Sequence, residues 1–136
     1  MFRRIDPIPH TLRESELARA IPAKELRTIE RRGTSVCFAA GRHAMRDAAI
    51  GRECMMVVSG SFAVERDGES IAVLQPGMVM GEVALLTGRP RNATVTALEE
   101  SLVYAYTRGE FTSLLEDCPH LAAIIRDDVD ARSPAA

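Results

Sequence analysis

The chain of 136 residues has no tryptophan, and its aromatic content is only 4%. That excludes a stacking platform for single-stranded nucleic acid, which needs a row of rings for successive bases. No apolar run reaches the length of about 18 residues that a membrane-spanning helix requires. The amino terminus, Met1-Phe2-Arg3-Arg4-Ile5-Asp6, is basic, but no apolar signal core follows it. A cytoplasmic location with no membrane partner is therefore the expectation. Cys37, Cys54 and Cys118 are odd in number and widely spaced. They fit neither a disulfide frame nor a zinc site and read as small, mostly buried hydrophobes in a reducing compartment. A net charge of −2 gives no electrostatic footprint for nucleic acid. His10, His43 and His120 are scattered, and only His43 falls in a strand-like region, so no metal site of the cupin kind is expected. No Ser-His-Asp or Cys-His spacing suggests an enzyme. Asp127, Asp128 and Asp130 lack the alternating spacing and following Gly and Glu of a calcium loop, and read as a solvated helix face.

What is present is ordinary for a soluble globule: 46% apolar and 26% charged residues. The length suits one domain over 1–136 with a single good core. Charge is uneven, with 11 Lys/Arg against 6 Asp/Glu in residues 1–52, and 2 against 6 in residues 110–136. The amino-terminal excess is suited to steering an anion or meeting an acidic partner.

Taken in order, residues 11–33 read as a helical lead-in. Thr11 and Glu14 have the spacing of a capping box. Pro22 suits the first position of a second helix, which places Leu26 and Ile29 inward and stops at Gly33. From residue 34 the apolar period changes to two. Thr34–Phe38, Arg42–Met45, Cys54–Ser59, Ser61–Glu65 and Ser70–Leu74 are expected strands, with Asp67-Gly68 as a tight hairpin turn. Ala93–Leu98 and Ser101–Tyr106 are two more. Glycines at intervals of about ten suggest a β-roll or barrel over 34–106. Thr107 and Glu110 form a second capping box, opening a helix with Phe111, Leu114, Leu115 and Cys118 on one face. Pro119 restarts a helix carrying Leu121, Ala122, Ile124, Ile125 and Val129, so that 107–131 is helical. The class is α+β: a jelly-roll-like barrel of about eight strands with one short embedded helix and flanking helices.

The stretch Gly81 to Thr94 carries the chemistry. Gly81 lets the backbone approach a ligand closely or take a positive φ. Glu82-Val83-Ala84-Leu85-Leu86 makes one helical turn whose first N–H groups have no partner within the helix and favour a phosphate. Arg91 brings a planar, permanently charged fork, suited to two phosphate oxygens. A carboxylate beside a phosphate site makes sense only if Glu82 faces a hydroxyl donor such as a ribose 2′-OH. A phosphate and a ribose hydroxyl together describe a nucleotide.

The order Gly81-Glu82-x-Ala84-Leu85-Leu86-x-x-x-Pro90-Arg91-x-Ala93-Thr94-Val95 closely resembles the phosphate-binding cassette of the cyclic-nucleotide-binding domain, the family of the catabolite activator protein and the protein kinase A regulatory subunits. The resemblance extends from about residue 12 to about residue 130. It implies reversible binding of cAMP or cGMP, with cAMP the default, and no catalysis or further cofactor. Gly81, Glu82, Val83, Ala84, Arg91, Asn92 and Ala93 would form the ribose-phosphate site. Val64 and Ile71 match positions that pack the base, although residues of this kind are more often plain core. Asn92 stands where the family often has Ala, Ser or Thr, and a hydroxyl there is associated with guanine. The helix after Pro119 would close over the base, with Ile125, Arg126 and Val129 as lid candidates, and would pass the signal to a protein effector or a second copy of the chain. The rival readings are a ligand-free scaffold on the same fold, a transcription factor that would need a dimer helix and a helix-turn-helix after residue 130, and a cupin-like metal enzyme.

Overall fold

The computed structural model describes residues 10–45, 53–82 and 93–132. A 3-10 turn over Leu12–Glu14 precedes helix α1 (Glu16–Ala20) and helix α2 (Ala23–Arg32). The expected cap at Thr11 is not made: its side chain accepts no capping hydrogen bond. The chain instead tightens into i→i+3 bonds, Glu14 N to Thr11 O at 3.1 Å and Ser15 N to Leu12 O at 3.1 Å. Ser15 then caps α1. Its hydroxyl accepts from Ala18 N at 3.1 Å and donates to Leu12 O at 2.6 Å. Pro22 stands one place earlier than expected, as the N-cap of α2, and Gly33 ends that helix.

The strands are β1 (Thr34–Phe38), β2 (His43–Met45), β3 (Glu53–Ser59), β4 (Phe62–Arg66), β5 (Glu69–Leu74), β6 (Val79–Met80), β7 (Thr94–Ala97) and β8 (Ser101–Thr107). They form two four-stranded sheets in the orders β1-β8-β3-β6 and β2-β7-β4-β5. All the pairings are antiparallel. Asp67 and Gly68 both have positive φ, 53° and 80°, which is the two-residue hairpin turn expected between β4 and β5. Helices α3 (Arg108–Asp117) and α4 (Pro119–Arg132) follow β8. Thr107 and Glu110 make both bonds of the capping box at the start of α3. This is the β-roll with flanking helices that the sequence suggested. Strand β6 was not among the expected strands, because two residues are too few to show a period.

Strands β3, β6 and β8 of the first sheet are covered on both faces, which explains their largely apolar sequences. From β3, Cys54 and Met56 point to the helices, while Met55 and Val57 point into the roll. Strands β6 and β8 divide in the same way, Val79 and Tyr106 to the helical side, Met80, Val103 and Ala105 to the roll. On the helical side Ile29 of α2, Phe111 and Leu114 of α3, and Leu121 and Ile125 of α4 close one core. Leu121 and Ile125 are one turn apart and therefore share a face. Of the cysteines, Cys54 and Cys118 are buried as expected, but Cys37 is exposed, because it lies on the edge strand β1.

Candidate functional site

Strand β6 delivers the residues that open the site. Before it, Gly77 N donates to Val57 O at 2.9 Å and Met78 O accepts from Val57 N at 2.9 Å, which ties the turn to β3. Val79 then lies opposite Met56 and Met80 opposite Met55, each side chain anchored in a different core. Gly81 follows at φ 84°. A residue with a side chain would pay roughly 1–2 kcal/mol to adopt that left-handed backbone. Of the two roles open to this glycine in the sequence, positive φ is observed. Glu82 comes next and is only 1% exposed. A glutamate that merely served a helix dipole has no reason to be buried. A buried carboxylate has to be met by donors.

The far side of the site is held by the other sheet. Ala93, also buried, leads into β7, where Thr94 faces Glu65 and Val95 faces Val64 on β4. The stretch from Glu82 to Ala93 therefore starts at an edge strand of one sheet and ends at an inner strand of the other. Val83, Ala84, Arg91 and Asn92 lie outside the described residues. Of the ribose-phosphate set, the structure places Gly81, Glu82 and Ala93.

The two wall residues behave differently. Val64 is half-buried and packs against the core of the roll. Ile71 is 47% exposed and does not have the core role that was its plain alternative. It lies on the edge strand β5, where Val73, regularly paired with Ala63, is equally exposed. Val64 faces Ala72 and Glu65 faces Ser70, so Ile71 is the extra residue of a β-bulge. Bulges gather beside binding sites, where they redirect a side chain.

On the carboxyl-terminal side, Ile125 is 2% exposed and belongs to the helical core. It is therefore committed to packing, which removes it from the lid candidates. Arg126 is exposed, and the side chain of Val129 lies outside the description.

Sequence reasoning missed one group altogether. Glu25, in the first turn of α2, is 1% exposed. Its carboxylate accepts from Leu121 N at 2.9 Å and His120 N at 3.2 Å, and contacts His120 Nδ1 at 2.7 Å. Burial alone pushes this carboxyl up. The Leu121 and His120 donors together outweigh burial and hold it below the usual carboxylate range. No local spacing announces such a contact, because the partners are 95 and 96 residues apart.

Among the described residues, no three His, Cys, Asp or Glu side chains gather as a metal site. Among the same residues, no helix is long and apolar enough to cross a membrane.

The cyclic nucleotide-binding domain family model matches residues 35–118. A cyclic nucleotide-gated potassium channel of Mesorhizobium japonicum is 33% identical over 97 residues, covering 71% of this chain and 27% of the channel. The chain thus spans about a quarter of the length of that curated relative. The regulatory domain of Toxoplasma gondii protein kinase A, solved with cAMP, is 30% identical, with a TM-score of 0.63 over 78% of this chain and 42% of that one. The Thermus thermophilus catabolite activator protein has a TM-score of 0.72 over 86% of this chain and 59% of its own, and at 23% identity it shows the fold alone. With the cassette motif in place, Glu82 buried behind a positive-φ glycine, and the family model matched from β1 to the end of α3, the chain belongs to the cyclic nucleotide-binding domain family.

Proposed function

We propose that this chain binds a cyclic nucleotide reversibly, cAMP in preference to cGMP, and acts as a sensor that catalyses no reaction. The observation that carries this reading is the burial of Glu82, 1% exposed, directly after Gly81 at φ 84°. In this reading the Glu82 carboxylate accepts the ribose 2′-OH. Arg91 pairs in a fork with the phosphate oxygens, Gly81 and the N–H groups of Ala84 and Ala93 complete the cradle around the phosphate, and Val83 and Asn92 flank it. Val64 and the exposed Ile71 cover the base. The preference for cAMP rests on the similarity to the Toxoplasma domain solved with cAMP; Asn92, whose amide offers both a donor and an acceptor, does not decide the base.

Binding would shift the packing of α3 and α4 against the cassette, a population shift biased by the phosphate contacts. A protein effector or a second copy of the chain would read that shift. The free cysteines suit a reducing, cytoplasmic compartment. Calorimetry with cAMP and cGMP in parallel tests the proposal. The expected result is heat from both and the smaller dissociation constant for cAMP. Equal or tighter cGMP binding refutes the base preference. No heat and no thermal shift with either refutes binding and leaves a ligand-free scaffold.

A further inference from the structure

Helix α4 starts with Pro119, which has no N–H to satisfy. The next two main-chain donors, His120 N and Leu121 N, both go to the carboxylate of Glu25. A helix is ordinarily capped by the residue just before it. Here the capping carboxylate comes from α2, in the amino-terminal lead-in, and the side chain of His120 closes at 2.7 Å on Oε2, the oxygen that also accepts from His120 N, while Leu121 N takes Oε1. The contact is buried on the Glu25 side, where loss of one partner is costly.

A second tie flanks the same corner. Arg32 of α2 meets Asp117 of α3 at 2.6 Å, but with side chains 33% and 54% exposed, and a pair so placed contributes little. The buried cap is therefore the contact that fixes the corner. Leu121 and Ile125, one turn apart, carry its effect into the helical core beside Phe111 and Leu114 of α3.

We propose that Glu25 is a positioning residue for the nucleotide site: it fixes the first turn of α4 against α2 and so sets where the helix responding to ligand begins. This rests on the cyclic-nucleotide reading above. In consequence the lead-in is a second handle on the site. Displacing α2 withdraws the cap, frees the start of α4, and makes ligand binding bear the cost of ordering it.

Glu25→Gln keeps the volume but turns an amide N–H₂ toward a donor and removes the charge. Glu25→Asp keeps the charge on a side chain one methylene shorter. Ile29→Val, on the same helix, is the control for simple loss of stability. In nucleotide-free protein, Glu25→Gln should speed amide hydrogen exchange at His120 to Ile125 by roughly tenfold while β8 is unchanged. Its cAMP dissociation constant should rise by roughly fivefold, with Glu25→Asp between it and the wild type and Ile29→Val unchanged. Exchange within about twofold of wild type in α4 overturns the proposal. So does an equal loss of affinity in Ile29→Val. Failure of the wild type to bind cAMP is a failure of the functional reading. The exchange result, measured without ligand, still decides whether Glu25 positions α4.

Discussion

Tyr106 Oη, on the last strand, donates to the main-chain carbonyl of Ile29 at 2.6 Å, joining residues 77 apart in sequence. Both residues are fully buried. Burial, the largest influence, pushes the phenol well above its ordinary range, so it remains a donor. Tyr106→Phe keeps the ring and deletes this donor. Gly33 N also donates to the Ile29 carbonyl, at 3.3 Å, so the acceptor is not orphaned. The expected loss is about 1 kcal/mol, read as a drop of about 4 °C in melting temperature.

Gly41 and Gly60 have nearly the same backbone, φ 87° and 86°, in different surroundings. A Cβ on Gly41 would meet nothing within 4 Å, whereas one on Gly60 would fall 2.7 Å from the Ser101 Cα. Gly41→Ala should cost about 1 kcal/mol, the conformational term alone. Gly60→Ala adds a main-chain collision and should cost at least about 3 kcal/mol. Urea unfolding of the two variants separates these terms.

The Glu25 carboxyl titrates below the usual range when folded. Between its folded value and the unfolded glutamate value of about 4.3, the unfolded chain binds more protons, so stability there rises with pH. The contribution is complete above the unfolded value and disappears as pH falls through the folded one. Glu25→Gln should therefore be less stable than wild type by about 2 kcal/mol at neutral pH. The gap should close as the medium is acidified, where wild type also carries a neutral side chain. Urea midpoints from neutral to acid pH check this, and a gap that stays constant would contradict it.

These contacts also show what was legible in the amino-acid sequence alone. The strands were legible because burial of one face leaves a period of two, and the Asp67-Gly68 turn because few residue pairs accept two positive φ values. The Thr107 cap was legible because both partners lie within one turn. The Thr11 cap had the same spacing and failed, since Leu12–Glu14 closed into a 3-10 turn and passed the capping role to Ser15. In the site, Gly81 and Glu82 stood out through residue type and order. The exposure of Ile71 did not, because the place of β5 at the edge of its sheet is set by distant strands. Glu25 was invisible for the same reason, its partners lying at the other end of the chain.

Glu82 should set the sugar preference. If its carboxylate accepts the 2′-OH, wild type should bind 2′-deoxy-cAMP at least about tenfold more weakly than cAMP, because a buried acceptor loses its donor. Glu82→Ala should bind the two ligands alike. A variant that still discriminates would move the ribose contact elsewhere.

The central claim is that the stretch from Gly81 to Ala93 holds the phosphate of a cyclic nucleotide through Arg91. Calorimetric titration of wild type and Arg91→Ala with cAMP tests it most directly. Wild type should bind saturably, and Arg91→Ala should lose roughly a hundredfold in affinity with the melting temperature of the ligand-free protein preserved. Equal affinity in the two proteins would contradict it.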